Sequence, residues 1–165
     1  MVNVLVLGLG NVLLSDEGVG VRIVEALQAG HDLPEHVELL DGGTSGMELL
    51  DTVAERDCLI VADAVNARGP AGRVVRLVDD EIRQMLETRL SPHQLGLSDM
   101  LAALRLIGKS PRRVVVVGVV PESLELGMEL SPAARKGRDE AVAMILEELA
   151  RIGALAPRPA PGDLT

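Results

Sequence analysis

The chain has no Phe, Trp or Tyr and a single cysteine, Cys58. Without aromatic rings, base stacking on side chains is excluded. The interior must be packed from Leu, Val, Ile, Ala and Met. A lone cysteine rules out an intramolecular disulfide and a multi-cysteine metal site. Positive charge is also scarce: 16 Lys and Arg against 25 Asp and Glu leave a formal net charge of −9. That is the wrong sign for a phosphate backbone. No apolar run approaches the roughly 18 residues of a membrane-spanning helix. No charged leader followed by an apolar stretch and a small-residue cleavage site is present. The expectation is a soluble, cytoplasmic protein with no nucleic-acid partner and no membrane insertion.

What is present fits one folded domain. The 165 residues are 47% hydrophobic, enough to bury a sizeable core. Residues 1–152 read as a single domain. Residues 153–165 read as a proline-rich, flexible tail. Residues 2–8 form a continuous apolar run, as in a strand covered on both faces. Val19, Ile23, Val24 and Leu27 recur at helical spacing, so a helix is expected over about 17–29, capped by Ser15 or Asp16. A short strand follows at 37–40, then Asp41-Gly42-Gly43-Thr44 and a helix capped by Thr44 or Ser45 that ends near Glu55. A third strand covers 58–62 and ends at Asp63. An alternating fourth strand lies at 73–78, with a short helix over 79–87. A loop, 91–96, precedes a helix from Ser98. The fifth strand is 114–120, and the last helix spans 132–151. Strands alternating with helices imply a mostly parallel sheet covered on both sides. The active crevice then lies outside the carboxyl ends of the strands.

Three acidic or glycine-rich segments meet at that rim. The first is Gly8-Leu9-Gly10-Asn11-Val12-Leu13-Leu14-Ser15-Asp16-Glu17-Gly18-Val19-Gly20. It supplies two glycines of a dinucleotide fingerprint but lacks the third. It also puts Asp16 and Glu17 where a helix N-terminus would hold phosphates. The turn is built to present a carboxylate. Glu17, Asp63 and His93 offer two carboxylates and one imidazole from separate segments. That set suits a borderline divalent cation such as nickel, zinc or manganese. Each residue also has an ordinary structural meaning. Asp16 or Glu17 caps a helix, Asp63 binds neighbouring amides, and His93 is a surface loop histidine. Against that, Asp63 ends an apolar strand, where a charge needs a partner or a role. Cys58 starts the same strand and reads as a small buried hydrophobe. His31 and His36 read as solvated. Glu122, beyond the fifth strand, is a weaker candidate for partner binding.

The glycine turn with its Asp-Glu-Gly, together with Asp41-Gly42-Gly43-Thr44, Ala62-Asp63-Ala64, Ser91-Pro92-His93-Gln94-Leu95-Gly96 and Gly118-Val119-Val120-Pro121-Glu122-Ser123, resembles the hydrogenase maturation proteases. These endopeptidases, peptidase family M52, trim the large subunit of nickel–iron hydrogenases. The resemblance runs from the first strand into the last helix. It implies a three-layer α/β/α sandwich around a twisted, five-stranded, mostly parallel sheet with one antiparallel strand, phosphorylase/hydrolase-like, and 73–78 is the expected antiparallel strand. It implies that Glu17, Asp63 and His93 bind the metal and carry the chemistry. It links Asp41, Gly42, Gly43 and Thr44 to substrate recognition. It implies that the metal is nickel supplied by the substrate, and other divalent cations also suit the site. The partner is the large-subunit precursor of a nickel–iron hydrogenase, and the protein is expected to be a monomer. No Ser, Cys or Thr nucleophile stands out, so water is the expected attacking group, with Asp16 as a candidate base. Two other functions stay open at this point: a nickel-delivery module without proteolysis, and a nucleotide-binding domain.

Overall fold

The computed structural model describes residues 1–88 and 92–156. Ser91 and residues 157–165, most of the expected tail, lie outside the described residues. The strands are β1 (Val4–Leu9), β2 (Val37–Gly43), β3 (Cys58–Ala64), β4 (Val74–Val78) and β5 (Val114–Val119). The α-helices are α1 (Val19–Gly30), α2 (Leu50–Val53), α3 (Asp80–Glu87), α4 (Pro92–Leu106) and α5 (Pro132–Arg151). Two 3-10 turns, Ser15–Gly18 and Met47–Leu49, complete the order. The sheet runs β2-β1-β3-β5-β4. Only β4 is antiparallel, against β5, as the resemblance implies for 73–78.

Strand periodicity sorts the core into two layers. Val4, Val6, Ile60, Ala62, Val115 and Val117 point to one face, where α1 and α5 pack. Leu5, Leu7, Leu59, Val61 and Val116 point to the other, beneath α3 and α4. Every residue of β1 and β3 is buried, which is why both read as unbroken apolar runs. The result is the expected α/β/α sandwich.

Small residues bring the site-bearing turn onto the sheet. A Cβ at Gly20 would sit 2.1 Å from the Ala62 carbonyl oxygen and 2.4 Å from that of Leu9. Helix α1 therefore rests directly on the ends of β1 and β3. Gly10 has φ of +134° and lies against the Glu17 carbonyl. Only glycine fits both demands there.

Several boundaries differ from the sequence expectation. α1 begins at Val19 with Gly18 at its cap and no side-chain cap bond, because Ser15 and Asp16 are engaged elsewhere. β2 continues to Gly43, since a bulge lets Leu9 pair with Gly43. The helix expected from Thr44 shrinks to the Met47–Leu49 turn and four residues of α2. α4 starts at Pro92 rather than Ser98, proline being well suited to a first helical position. Gly96 looks like a helix breaker in sequence, but a Cβ on Gly46 would lie 2.9 Å from the Gly96 Cα. The glycine serves close packing of α4 on the 46 turn. His36 is not merely solvated, as its Nε2 lies 3.0 Å from the Ala154 carbonyl oxygen. Ala154 is buried, so residues 153–155 belong to the body rather than to a tail.

Glu148 fastens α5 to the sheet edge. It is 1% exposed and accepts from Arg76 on β4 at 2.9 and 3.1 Å. Arg113 and Arg151 donate to it at 2.9 and 2.7 Å. Burial raises its pKa, but the Arg76 and Arg113 guanidiniums outweigh that and hold it below the ordinary value of 4.5. A carboxyl with a lowered folded-state pKa contributes stability above its unfolded value and loses it as pH falls through the folded one. We expect Glu148→Gln to cost about 2 kcal/mol at pH 7, given partly exposed arginine partners. The wild-type advantage should shrink progressively below about pH 4.5. Urea unfolding midpoints of both proteins from pH 7 to pH 3 measure it.

Candidate active site

The rim at the carboxyl ends of β1, β2 and β3 collects most of the predicted residues. Glu17 sits in the Ser15–Gly18 turn and is 2% exposed. Asp63 lies near the end of β3 and is 0% exposed. His93 occupies the first turn of α4 rather than a loop, and it too is buried. Its Nδ1 is 3.0 Å from Glu17 Oε1. Its Nε2 is 3.1 Å from Asp63 Oδ2 and 3.2 Å from Oδ1. One imidazole thus bridges two buried carboxylates, and the three possible ligand atoms lie within 4.8 Å of one another.

Each member is fixed from behind. The Asn11 backbone N–H donates to Glu17 Oε2. The Asn11 side chain holds its own turn by accepting from the Leu13 N–H at 3.0 Å. The Ala64 N–H donates to Asp63 Oδ1 at 2.8 Å. Gln94 Nε2 donates to Asp63 Oδ2 at 3.0 Å and to the Ala64 carbonyl at 2.9 Å. Both protons of that amide are committed to acceptors, so its orientation is determined. Gln94 was not singled out from sequence. Its place next to His93 in the turn is the only signal, and it gains meaning once Pro92 is known to begin a helix.

The electrostatics favour a positive charge at the centre. Burial lowers the His93 pKa, but the bonds to Asp63 and Glu17 outweigh it and push it up to about 9. Burial raises the Asp63 pKa, with His93 and Gln94 opposing the rise. Two carboxylates out of water need a compensating cation. Either a proton on His93 or a divalent metal supplies one, and the two compete for the imidazole nitrogens. The donor set, one nitrogen with carboxylate oxygens, suits nickel, zinc or manganese.

A cavity of about 410 Å³ reaches the cluster, lined by Asn11, Leu14, Glu17, Thr44, Pro92, His93 and Gly96. Of the expected recognition segment, Thr44 lines this cavity. Asp41 is exposed, and its Oδ1 accepts from the Gly43 N–H at 2.9 Å. Gly43 adopts φ of +51°. Gly42 is buried, and a Cβ there would meet Leu7 at 2.7 Å. Cys58 is at the far end of β3, where burial pushes its thiol up to about 11. It is a core residue and no nucleophile.

Asp16 requires a correction. It is 0% exposed, and its carboxylate accepts from the N–H groups of Glu122, Ser123 and Ser131 at 2.9, 3.2 and 2.8 Å. The Ser131 hydroxyl donates at 2.7 Å. Burial raises its pKa, but the Ser131 bonds lead the contributions that hold it below the ordinary value. A base needs a free lone pair near the substrate, and this carboxylate has spent its lone pairs on the 122–131 loop. Glu122, which sequence marked for partner binding, supplies a backbone N–H here while its side chain is exposed. Ser131 was also missed; its hydroxyl additionally caps α5 by accepting from the Ala134 N–H.

Comparison with known proteins decides the family. A family model described as hydrogenase maturation protease matches residues 21–148. The chain belongs to the hydrogenase maturation proteases. It is 48% identical to the hydrogenase 2 maturation protease of Escherichia coli, covering 97% of this chain and 99% of that one. It is 42% identical to the hydrogenase expression/formation protein HupD of Thiocapsa roseopersicina, over 94% and 71% of the two chains. The hydrogenase maturating endopeptidase HybD of E. coli superposes with a TM-score of 0.88 over 92% of this chain and 94% of that one, at 48% identity. HybD of Thermococcus kodakarensis gives 0.73 at 28% identity, over 90% and 99%. The chain is a hydrolase of the endopeptidase kind with a role in hydrogenase maturation. No helix among the described residues is long and apolar enough to cross a membrane.

The assignment of Asp16 as a clamp has a direct check. Asp16→Ala should cost about 3 kcal/mol, several charge-assisted bonds being lost at once. It should also open residues 122–130 to limited proteolysis. A base role alone would slow turnover while leaving the melting temperature and the proteolytic pattern unchanged.

Proposed function

We propose that the chain cuts the C-terminal extension from a nickel-loaded large-subunit precursor of a nickel–iron hydrogenase. The observation that carries this is the convergence of Glu17, Asp63 and His93 at the end of a cavity in a hydrogenase maturation protease. Nickel still openly coordinated in the precursor is then part of the substrate, and the trio provides the remaining ligands. Other divalent cations suit the same donors. A cation held there polarises a carbonyl or acidifies a water. We place the reaction in the cytoplasm and take a monomer as the working state.

The chain's own residues have separable duties in this reading. His93 would hold a metal through one deprotonated ring nitrogen while its other N–H stays on a carboxylate. The Asn11 N–H keeps one Glu17 oxygen turned away, leaving the other toward His93. Gln94 and the Ala64 N–H hold the outer sides of Asp63. Thr44 stands at the cavity wall, where it meets the substrate chain. With no activated side-chain nucleophile among the described residues of the lining, attack falls to water.

The deciding assay is the mass of the large-subunit precursor from the same organism, incubated with the protein, with and without nickel in the precursor. Loss of a C-terminal peptide only from the loaded form is expected. Cleavage of both forms removes nickel sensing, and metal transfer without cleavage indicates a delivery module. His93→Ala and Glu17→Gln should each slow processing by at least about 100-fold, and His93→Ala should also lower the melting temperature, since it leaves two buried carboxylates without their cation. Gln94→Glu puts an acceptor against two acceptors. It should weaken nickel binding by about 10-fold or more in calorimetric titration of the protein.

A further inference from the structure

Large hydrophobic side chains left exposed are concentrated around one opening. Among the described residues nine are exposed, and six of them are Leu13, Met47, Leu95, Leu124, Leu126 and Met128. Five of these six lie on the segments that frame the cavity above Glu17 and His93, or on the 121–131 loop bonded to them, while Leu95 lines a separate cavity between α3 and α4. Leu13 adjoins the cavity-lining Leu14, and Met47 follows Gly46, which packs on Gly96. The loop is joined to the glycine turn by Ser15 N–H to Gly127 O at 2.7 Å and by Gly127 N–H to Leu13 O at 2.8 Å. The Ser15 hydroxyl adds a bond to Glu125 O at 2.7 Å.

These side chains are held out on a fastened backbone. Leu126 is 85% exposed and Met128 62%, while Asp16 grips the loop at 122–123 and at 131. A leucine kept in water on a fixed loop forgoes the burial a looser loop would find, and such patches mark interaction sites.

Charge narrows the occupant. Residues 11–18, 41–50, 92–98 and 121–131 contain no Lys or Arg. They do carry the exposed carboxylates Asp41, Glu48, Glu122, Glu125 and Glu129. Two arginines approach from the flank: Arg22 donates to the Met128 carbonyl at 3.0 Å, and Arg135 lies 3.7 Å from Glu129. Among the described residues, the rest of the rim carries carboxylates, apolar side chains and neutral polar groups around His93.

We propose that this rim docks a segment of the precursor polypeptide that combines apolar side chains with Lys or Arg and lacks carboxylates. The proposal rests on the endopeptidase reading and adds the chemistry of the substrate segment beside the cut. The acidic fringe selects cationic residues and repels acidic ones. The leucine and methionine side chains supply the apolar contact, methionine adapting to more than one shape.

The test measures binding separately from cleavage. Titration calorimetry with nickel-free precursor gives Kd, and the mass assay gives processing. Leu126→Ser combined with Met128→Ser should raise Kd about ten-fold, as should Glu122→Lys combined with Glu125→Lys. Melting temperatures should stay native, since these side chains are exposed. Leu106→Ser with Ile107→Ser is the control. Both residues are exposed, but they lie at or beyond the far end of α4, about 20 Å from His93. That pair should leave Kd unchanged. Added salt should weaken wild-type binding and have less effect on the Lys variant.

An unchanged Kd in either rim variant, or an equal rise in the control, overturns the docking surface while leaving the endopeptidase reading intact. Weaker binding by the rim variants with no cleavage by the wild type supports docking and overturns the endopeptidase. A wild type that neither binds nor cuts the precursor overturns both.

Discussion

Two carboxylates buried at the end of an apolar sheet are the constraint around which this molecule is arranged. Glu17 and Asp63 are almost wholly out of water, where unpaired ionised groups are costly. One imidazole between them provides the compensating charge. To place it, three distant segments must meet within a few ångströms. The parallel sheet does this by bringing the ends of β1 and β3 side by side. The glycines bring α1 down onto those ends, and the Gly46–Gly96 approach brings the first turn of α4 over them. The close contacts of the fold are thus concentrated where the functional groups converge.

Adjacent acids then take opposite duties. Asp16 and Glu17 share a 3-10 turn, in which consecutive side chains diverge by about 120°. Glu17 turns toward His93, and Asp16 turns to the 122–131 loop. One keeps an oxygen aimed at the imidazole. The other has its oxygens filled by donors, which suits it to structure rather than to proton transfer. A free base and a saturated clamp look identical in a sequence, since donor groups more than 100 residues away make the difference.

That contrast explains what could be read in advance. β1, β3 and β5 are legible because burial on both faces leaves no polar interruption. β4 is legible because an edge strand alternates. The last helix is marked by Pro132 at its start and by Val142, Ile145, Leu146 and Leu149 recurring on one face. The rim rule for parallel sheets brings Glu17 and Asp63 to the same end. The resemblance, not the spacing, joins His93 to them. Gly96 misled the start of α4 because it fits a neighbouring backbone instead of ending a helix. Asp16 misled because a carboxylate before a helix has an ordinary meaning as a cap. Gln94 and Ser131 act through partners 30 and 115 residues away, beyond the reach of any local pattern.

The Ser15–Gly18 turn is also the mechanical link between the buried centre and the outer rim. Glu17 joins it to the imidazole, while Asp16 and Ser15 join it to the loop that carries Leu124, Leu126 and Met128. The distance between the apolar rim and the His93 cluster is therefore set by a few bonded residues rather than by a hinge. A polypeptide seated on the rim would meet the cluster at a fixed separation along its own chain. Under the proposed docking, such a ruler would select a cut site by position as well as by residue type. It also accounts for the cost accepted in burying Asp16, since a loosely held loop would leave that separation undefined.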